Sequence, residues 1–420
     1  MCKDRSLIAR MSAGAGAALL TVGLIANAAT AGPVLSKEAG QIAELSNQLG
    51  STTVSRLIGK KGDNTVVVSP YGLGSALHLL LMGAARGSAA ENSLRDGLLP
   101  AGVRVGNQDE PLKLLGERIL GSRSDKLELA LASAVFVPKA AEHSSLFAVR
   151  AGKVFDAPFV ALDFKQSGAL AEINAWVKDK TQGLIPSIIE QLEPDARFVL
   201  TNAVYFRGTW DKAFDPSRTA KAPFTRVDGS KHEVAMMDTT LPVELSDFDG
   251  LRAVWLPYDG GEVAMLVVAA GPEGAPTMVA DALRSKAVGG LVAAAQKTLR
   301  RGLVQVRLPR FRAESGLDVT DALSSQIGPA LAANSNYDAI HKGKRGPLQV
   351  IHRAVLEVSE TGTVAAAATA VTSDRSLAVT PVFSADRPFA FAIVHRPTQA
   401  VLFAGYIADP AQLSAAGSTR

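Results

Sequence analysis

The sequence holds a single cysteine, Cys2, in 420 residues. That excludes a disulfide framework and a cysteine-based metal site, and with the N-terminal segment removed no thiol is left for nucleophilic chemistry. Histidines are few: 78, 143, 232, 341, 352 and 395. None forms a His-Glu-x-x-His pair, since His232-Glu233 has no second histidine in range. There is no Gly-x-Ser-x-Gly elbow and no phosphate-binding P-loop. A dispersed Ser-His-Asp triad is defined by geometry, so the sequence neither reveals one nor excludes it. No excess of positive charge points to nucleic acid: the formal charge is +4. The short basic clusters at 297–301 and 342–345 read as solvated faces. There is no fixed-period repeat, no Pro/Gly/Ser-rich linker dividing the chain, and no apolar run beyond the N-terminus long enough to cross a bilayer.

What is present is a composition of 47% hydrophobic and 20% charged residues, typical of a globular protein with a large core. Lys3, Arg5 and Arg10 precede an apolar stretch from about 11 to 26, followed by the small-residue sites Ala26-Asn27-Ala28 and Ala29-Thr30-Ala31. This is the pattern of a secretory signal over residues 1–31, cut before Ala29 or Gly32. Roughly 16 apolar residues are short for a membrane anchor. Removing 1–31 deletes three basic side chains and one acidic one and leaves a charge of +2. Secretion or export to a periplasm follows. Without disulfides, the core must supply the stability.

Residues 37–57 place Ile42, Leu45 and Leu49 at helical spacing. Residues 66–68 form a short strand stopped by Ser69-Pro70. Residues 73–84 are apolar nearly all round, which predicts a buried helix. Residues 127–137 and 198–206 read as strands, the second apolar nearly throughout, as at the centre of a sheet. Residues 251–257 and 263–269 flank Asp259-Gly260-Gly261, a hairpin signal because a tight turn needs positive φ angles. Further strands are expected at 304–308, 379–383, 390–395 and 401–407. Helices early and strands late indicate an α+β protein.

One segment has a distinctive composition. A strand-like run over 348–358 leads through Glu360 and Gly362 into residues 363–370, where nothing is larger than valine. Taken alone, such a run is a linker or a helix, since alanine is the best helix former and a poor strand former. Its side chains are also small enough to slide between two existing strands.

The flanking residues resemble those of the serpin family. Glu360, Gly362, Thr363 and Ala365, Ala366, Ala367 and Ala368 match the hinge of a serpin reactive-centre loop, with Val364 where a glutamate is usual. Five further blocks occur in the family's order. They are Asn64 to Gly87, Ile173 to Ile185, Thr201 to Trp210, Leu308 to Phe311 with Ile351 to Val355, and Asp386 to Gly405. The resemblance implies a single serpin domain over 32–412 with three β-sheets, about nine helices and an exposed loop near 361–381, followed by a tail at 413–420. With the alanine-rich composition and the short leader, it points to a bacterial source.

The resemblance further implies a monomeric inhibitor with no enzyme activity, cofactor or metal of its own. Its partner would be a secreted serine protease, trypsin-like or elastase/subtilisin-like. The reactive bond falls at Ser376–Leu377 by the regular count or at Arg375–Ser376 in a loop one residue shorter. Ser69, Asn202 and His352 would belong to the region where the central sheet opens, with Gly72 replacing a second serine. Trp210 and Arg310 would lie where the loop enters, Arg310 pairing with Glu360. A non-inhibitory serpin, a binding or chaperone module, is the alternative. Such relatives carry bulky, charged or proline hinges, and this hinge has none.

Overall fold

The computed structural model describes residues 34–362 and 380–411. The expected signal segment, hinge positions 363–368, reactive bond at 375–377 and tail at 413–420 lie outside the described residues. In chain order, α1 (Lys37–Leu57) starts on Ser36, whose side chain caps Ala39 N–H, and is followed by β1 (Val66–Val68). Helix α2 (Pro70–Gly83) has Ser69 as its N-cap and Pro70 in its first turn, and all 14 of its residues are buried. Next come α3 (Ala89–Leu98), α4 (Asp109–Leu120), β2 (Leu127–Pro138), α5 (Ser145–Phe155), β3 (Phe159–Leu162), α6 (Gly168–Lys180) and β4 (Val199–Gly208). Then follow β5 (Ala220–Thr225), the 18-residue β6 (Lys231–Phe248), β7 (Leu251–Pro257), β8 (Val263–Ala270) and α7 (Met278–Lys297). The chain continues through β9 (Arg300–Pro309), β10 (Phe311–Asp318), α8 (Val319–Leu331), β11 (Gln349–Val358), β12 (Val382–Ser384), β13 (Phe389–His395) and β14 (Ala400–Ile407).

The strands form two hydrogen-bonded networks. One has the order β10-β11-β4-β2-β3; the other runs β1-β14-β13-β8-β7-β6-β9-β12, with β5 on β6. The long β6 explains the count. Its N-terminal part pairs with β5, its middle with β9 and its end with β7, so it belongs to two arms of the larger network. Counted by arm, the described residues give three sheets, with eight α-helices and one 3-10 turn (Pro216–Arg218). Among the described residues no helix is long and apolar enough to cross a membrane.

The five-stranded sheet separates two cores. Leu200, Val204 and Phe206 of β4 face the main core with α2, while Val199 and Ala203 face a smaller core with Ile173 and Val177 of α6. Successive side chains of a strand point to opposite faces. With both faces covered, β4 is mostly apolar on both, interrupted by the buried Thr201 and Asn202, and only Arg207 is less than buried.

Candidate functional site

Strands β11 and β4 are direct neighbours and run parallel, from Gln349 opposite Val199 to Val355 opposite Tyr205. There the pairing stops. Strand β11 stays paired to β10 as far as Val358, and β4 stays paired to β2 as far as Gly208. The last three residues of β11 therefore separate from β4, and the seam opens into a mouth.

Trp210 sits in the mouth, 3% exposed, stacked on Tyr258 at 4.4 Å between ring centroids. Its indole N–H donates to the Ser359 carbonyl at 2.9 Å, and its backbone N–H donates to the Thr361 carbonyl at 3.0 Å. The chain leaving β11 turns tightly, with Ser359 N–H donating to the Gly362 carbonyl at 2.8 Å and Gly362 N–H to the Ser359 carbonyl at 3.2 Å. Gly362 has φ +128° and bridges Thr209. A Cβ there would lie 2.1 Å from the Gly208 carbonyl oxygen and 2.7 Å from the backbone of Thr209 and Trp210. Only glycine fits both the angle and the approach.

Glu360 is 4% exposed, and its carboxylate accepts from Arg310 and from the Thr219 hydroxyl. Burial alone would raise its pKa, but these donors outweigh burial and hold it below the ordinary value. Phe214 N–H donates to the Glu360 carbonyl at 2.7 Å. The Glu360–Arg310 pair expected from the sequence is thus present. Unlike an exposed pair, its carboxylate is buried and held by a third group.

Lower in the seam, His352 on β11 is the register partner of Asn202 on β4, and Asn202 of Ser133 on β2. His352 Nε2 accepts from the Ser69 backbone N–H at 3.1 Å, so Nδ1 carries the proton and donates to Asn202 Oδ1 at 2.7 Å. Asn202 Nδ2 then donates to Ser133 Oγ at 2.9 Å. Ser69, Asn202 and His352 are fully buried, and Ser133 nearly so. All three strand side chains lie on the α2 face of the sheet. With Ser69 they form one directional polar file across β11, β4 and β2. Burial depresses the His352 pKa to about 3, so the ring is neutral. Gly72 is tightly enclosed: a Cβ would lie 2.4 Å from Val204 Cγ2 and 2.8 Å from Asn202 Oδ1. The packing of Val204 leaves no room for a serine there, and Ser133 from β2 extends the file instead.

The structure also brings together a serine and a histidine that the sequence could not pair. Ser122 Oγ lies 2.8 Å from His395 Nε2. The other ring nitrogen, Nδ1, lies 2.7 Å from Thr398 Oγ1, a hydroxyl where a triad would place a carboxylate. Ser122 also donates to Glu262. In that chain of bonds His395 Nε2 donates to Ser122, so the ring is not placed to accept the serine proton. This is a structural cluster tying α4 to the β7–β8 turn and to β13.

The family model for serpins, serine protease inhibitors, matches residues 44–410. The chain belongs to the serpin family. Human glia-derived nexin is 31% identical over 387 residues, covering 87% of this chain and 93% of that protein. The solved structure of native protease nexin-1 with heparin superposes with a TM-score of 0.77 at 28% identity, covering 89% of this serpin and all of that chain. Human thyroxine-binding globulin complexed with thyroxine has the same fold at 22% identity, with a TM-score of 0.75 and coverage of 89% and 99%; this is a likeness of fold alone.

In this serpin the structure brings Glu360, Gly362, Trp210 and Arg310 together at the mouth, and Ser69, Asn202 and His352 within the seam. Thr219, Tyr258, Ser359 and Ser133 were not singled out from the sequence. Ser133 and Asn202 reveal themselves only as polar interruptions of buried apolar strands; Thr219 lies in an irregular segment with no local signal.

Two predictions follow from this geometry. Gly362→Ala should cost about 1–3 kcal/mol through backbone strain and displacement from the Gly208–Trp210 backbone; an unchanged thermal midpoint would contradict the close approach. The second concerns acid. His352 binds its proton near pH 3 when folded and near 6.5 when unfolded. Its neutral state therefore supports folding fully above about pH 6.5, and that support is lost as pH falls towards 3. Each such histidine adds up to about 1.4 kcal/mol per pH unit to the slope of stability. His352→Gln should flatten the stability profile between pH 6 and 4 by about that amount relative to the unsubstituted protein, and parallel profiles would refute the assignment.

Proposed function

We propose that this serpin is a suicide-substrate inhibitor of secreted serine proteases. The observation that carries the reading is the seam: β11 and β4 pair directly, no strand lies between them, and the chain leading to the small-residue segment departs from the mouth of that seam. A protease attacking the loop forms its ordinary acyl-enzyme. Cleavage releases the segment beyond Gly362. Thr363, Val364 and Ala365 to Ala368 then pass between β11 and β4 as a new strand, a form of β-strand addition established for serpin loops. The tethered protease is carried along and its active site distorted.

The energies are of the right size. A new central strand of about a dozen residues gains ladder hydrogen bonds at roughly 0.5–1.5 kcal/mol each, with side-chain burial added. The total is on the order of ten kcal/mol, comparable to the stability of a whole domain. The uncleaved form is then held by kinetic barriers. In this reading the His352–Asn202 bond and the Glu360–Arg310–Thr219 contacts are what insertion must break or pass. The reactive bond is Ser376–Leu377, suited to an elastase- or subtilisin-like enzyme, or Arg375–Ser376, suited to a trypsin-like one. The protein acts as an exported monomer, secreted or periplasmic, its domain spanning 32–412 after removal of residues 1–31.

Incubation of the processed protein with trypsin, elastase and subtilisin should yield, for at least one of them, a band near the summed masses that survives boiling in detergent. Sequencing the released fragment distinguishes Arg375–Ser376 from Ser376–Leu377. Ala365→Arg, which would bury a charge in the new strand, should abolish the band while leaving loop cleavage intact. Cleavage without a stable band for a broad protease panel would reject the inhibitor reading and favour a binding or chaperone role on the same fold.

A further inference from the structure

A cavity of about 620 Å³ lies on the larger sheet network, walled by Pro242 and Val243 of β6 and Pro257 of β7. Its volume is in the range of small-molecule sites. Trp255 lines it, is 3% exposed, and has an indole N–H that is buried without an acceptor among the described residues. A buried donor of this kind ordinarily finds a partner. The Arg396 guanidinium stacks over the Trp255 ring at 5.2 Å from its centroid and donates to Glu244 Oε2 at 2.8 Å. Arg301 donates to the other oxygen, Oε1, at 2.8 and 3.1 Å, while its side chain remains 83% exposed.

One carboxylate is thus shared by two guanidiniums. Burial raises the Glu244 pKa, yet the two arginines outweigh burial and keep it ionised below the ordinary range. A guanidinium carries five N–H donors, so one carboxylate between two arginines leaves donors to spare. The remaining acid on the lining, Asp211, is exposed to solvent, where screening weakens its charge. The rim is lined by Gly260, Gly261 and Gly302, so a flat body can slide in against Pro242 and Pro257.

We propose that this cavity binds a small aromatic carboxylate: the ring against Pro242 and Pro257, and the acid on Arg301 and Arg396. The site adjoins the mouth of the seam. Asp211 N–H donates to the Pro257 carbonyl at 2.9 Å, and the next residues on each side, Trp210 and Tyr258, are the stacked pair that holds Ser359 and Thr361. Binding here does not depend on the inhibitor reading and is measured without a protease.

The test is calorimetric titration of the processed protein with 2-naphthoate and with the neutral 2-naphthalenemethanol. The expected result is one site for naphthoate, with the alcohol about tenfold weaker or more, as for loss of a charge-assisted pair. Arg301→Ala, at an exposed position that leaves the fold intact, should weaken naphthoate but not the alcohol. No binding at millimolar naphthoate, equal affinity for acid and alcohol, or unchanged naphthoate affinity in Arg301→Ala would overturn the assignment.

Discussion

The contact on which the rest of this structure turns is the parallel pairing of β11 with β4. Both strands lie within a sheet, with one core above and another below, and each keeps its outer neighbour to its C-terminal end. Yet their shared ladder ends at Val355 and Tyr205, three residues before β11 does. Two well-anchored halves meeting along an incomplete seam can part without either half unfolding. In the proposed mechanism the ladder bonds of β11–β10 and β4–β2 survive such a separation.

The seam is not closed by apolar packing alone. His352, Asn202 and Ser133 place a directional hydrogen-bond file where a hydrophobic sheet would have valine, and Ser69 secures the histidine from the helix beneath. A buried polar file strengthens a seam while it is satisfied and penalises every partly open state, because its members lose partners in a low-dielectric interior. It therefore favours all-or-none opening. At the top, Glu360 and Gly362 serve a different purpose. They hold the exit of β11 against the residues that follow β4, at the mouth of the seam. In the proposed mechanism the first element sets the barrier and the second sets the path.

Much of the fold was legible in the sequence because its signals are local. Ser69-Pro70 marks a helix start, the run before Gly87 is too apolar to be anything but buried, and Asp259-Gly260-Gly261 can close a hairpin. Boundaries were less visible where tertiary pairing extends an element. β9 begins at Arg300, in a basic stretch that reads as solvated surface, because pairing to β6 continues past the apolar part. The length of β6 was not legible at all, since it changes partners along its course and no single hydrophobic period describes it.

The candidate site divides in the same way. The sequence by itself determined the hinge composition, the glycine at 362 and the order of blocks that mark a serpin, since these are properties of residues a few positions apart. Only the tertiary structure decided that Thr219 joins Arg310 on Glu360 and that Ser133 completes the file from His352. Only it excluded a side chain at Gly72, because Val204 fills the space. These contacts join residues 50 to 150 positions apart. Their partners are chosen by strand register and packing, and a one-residue slip in register would send each side chain to the opposite face of the sheet.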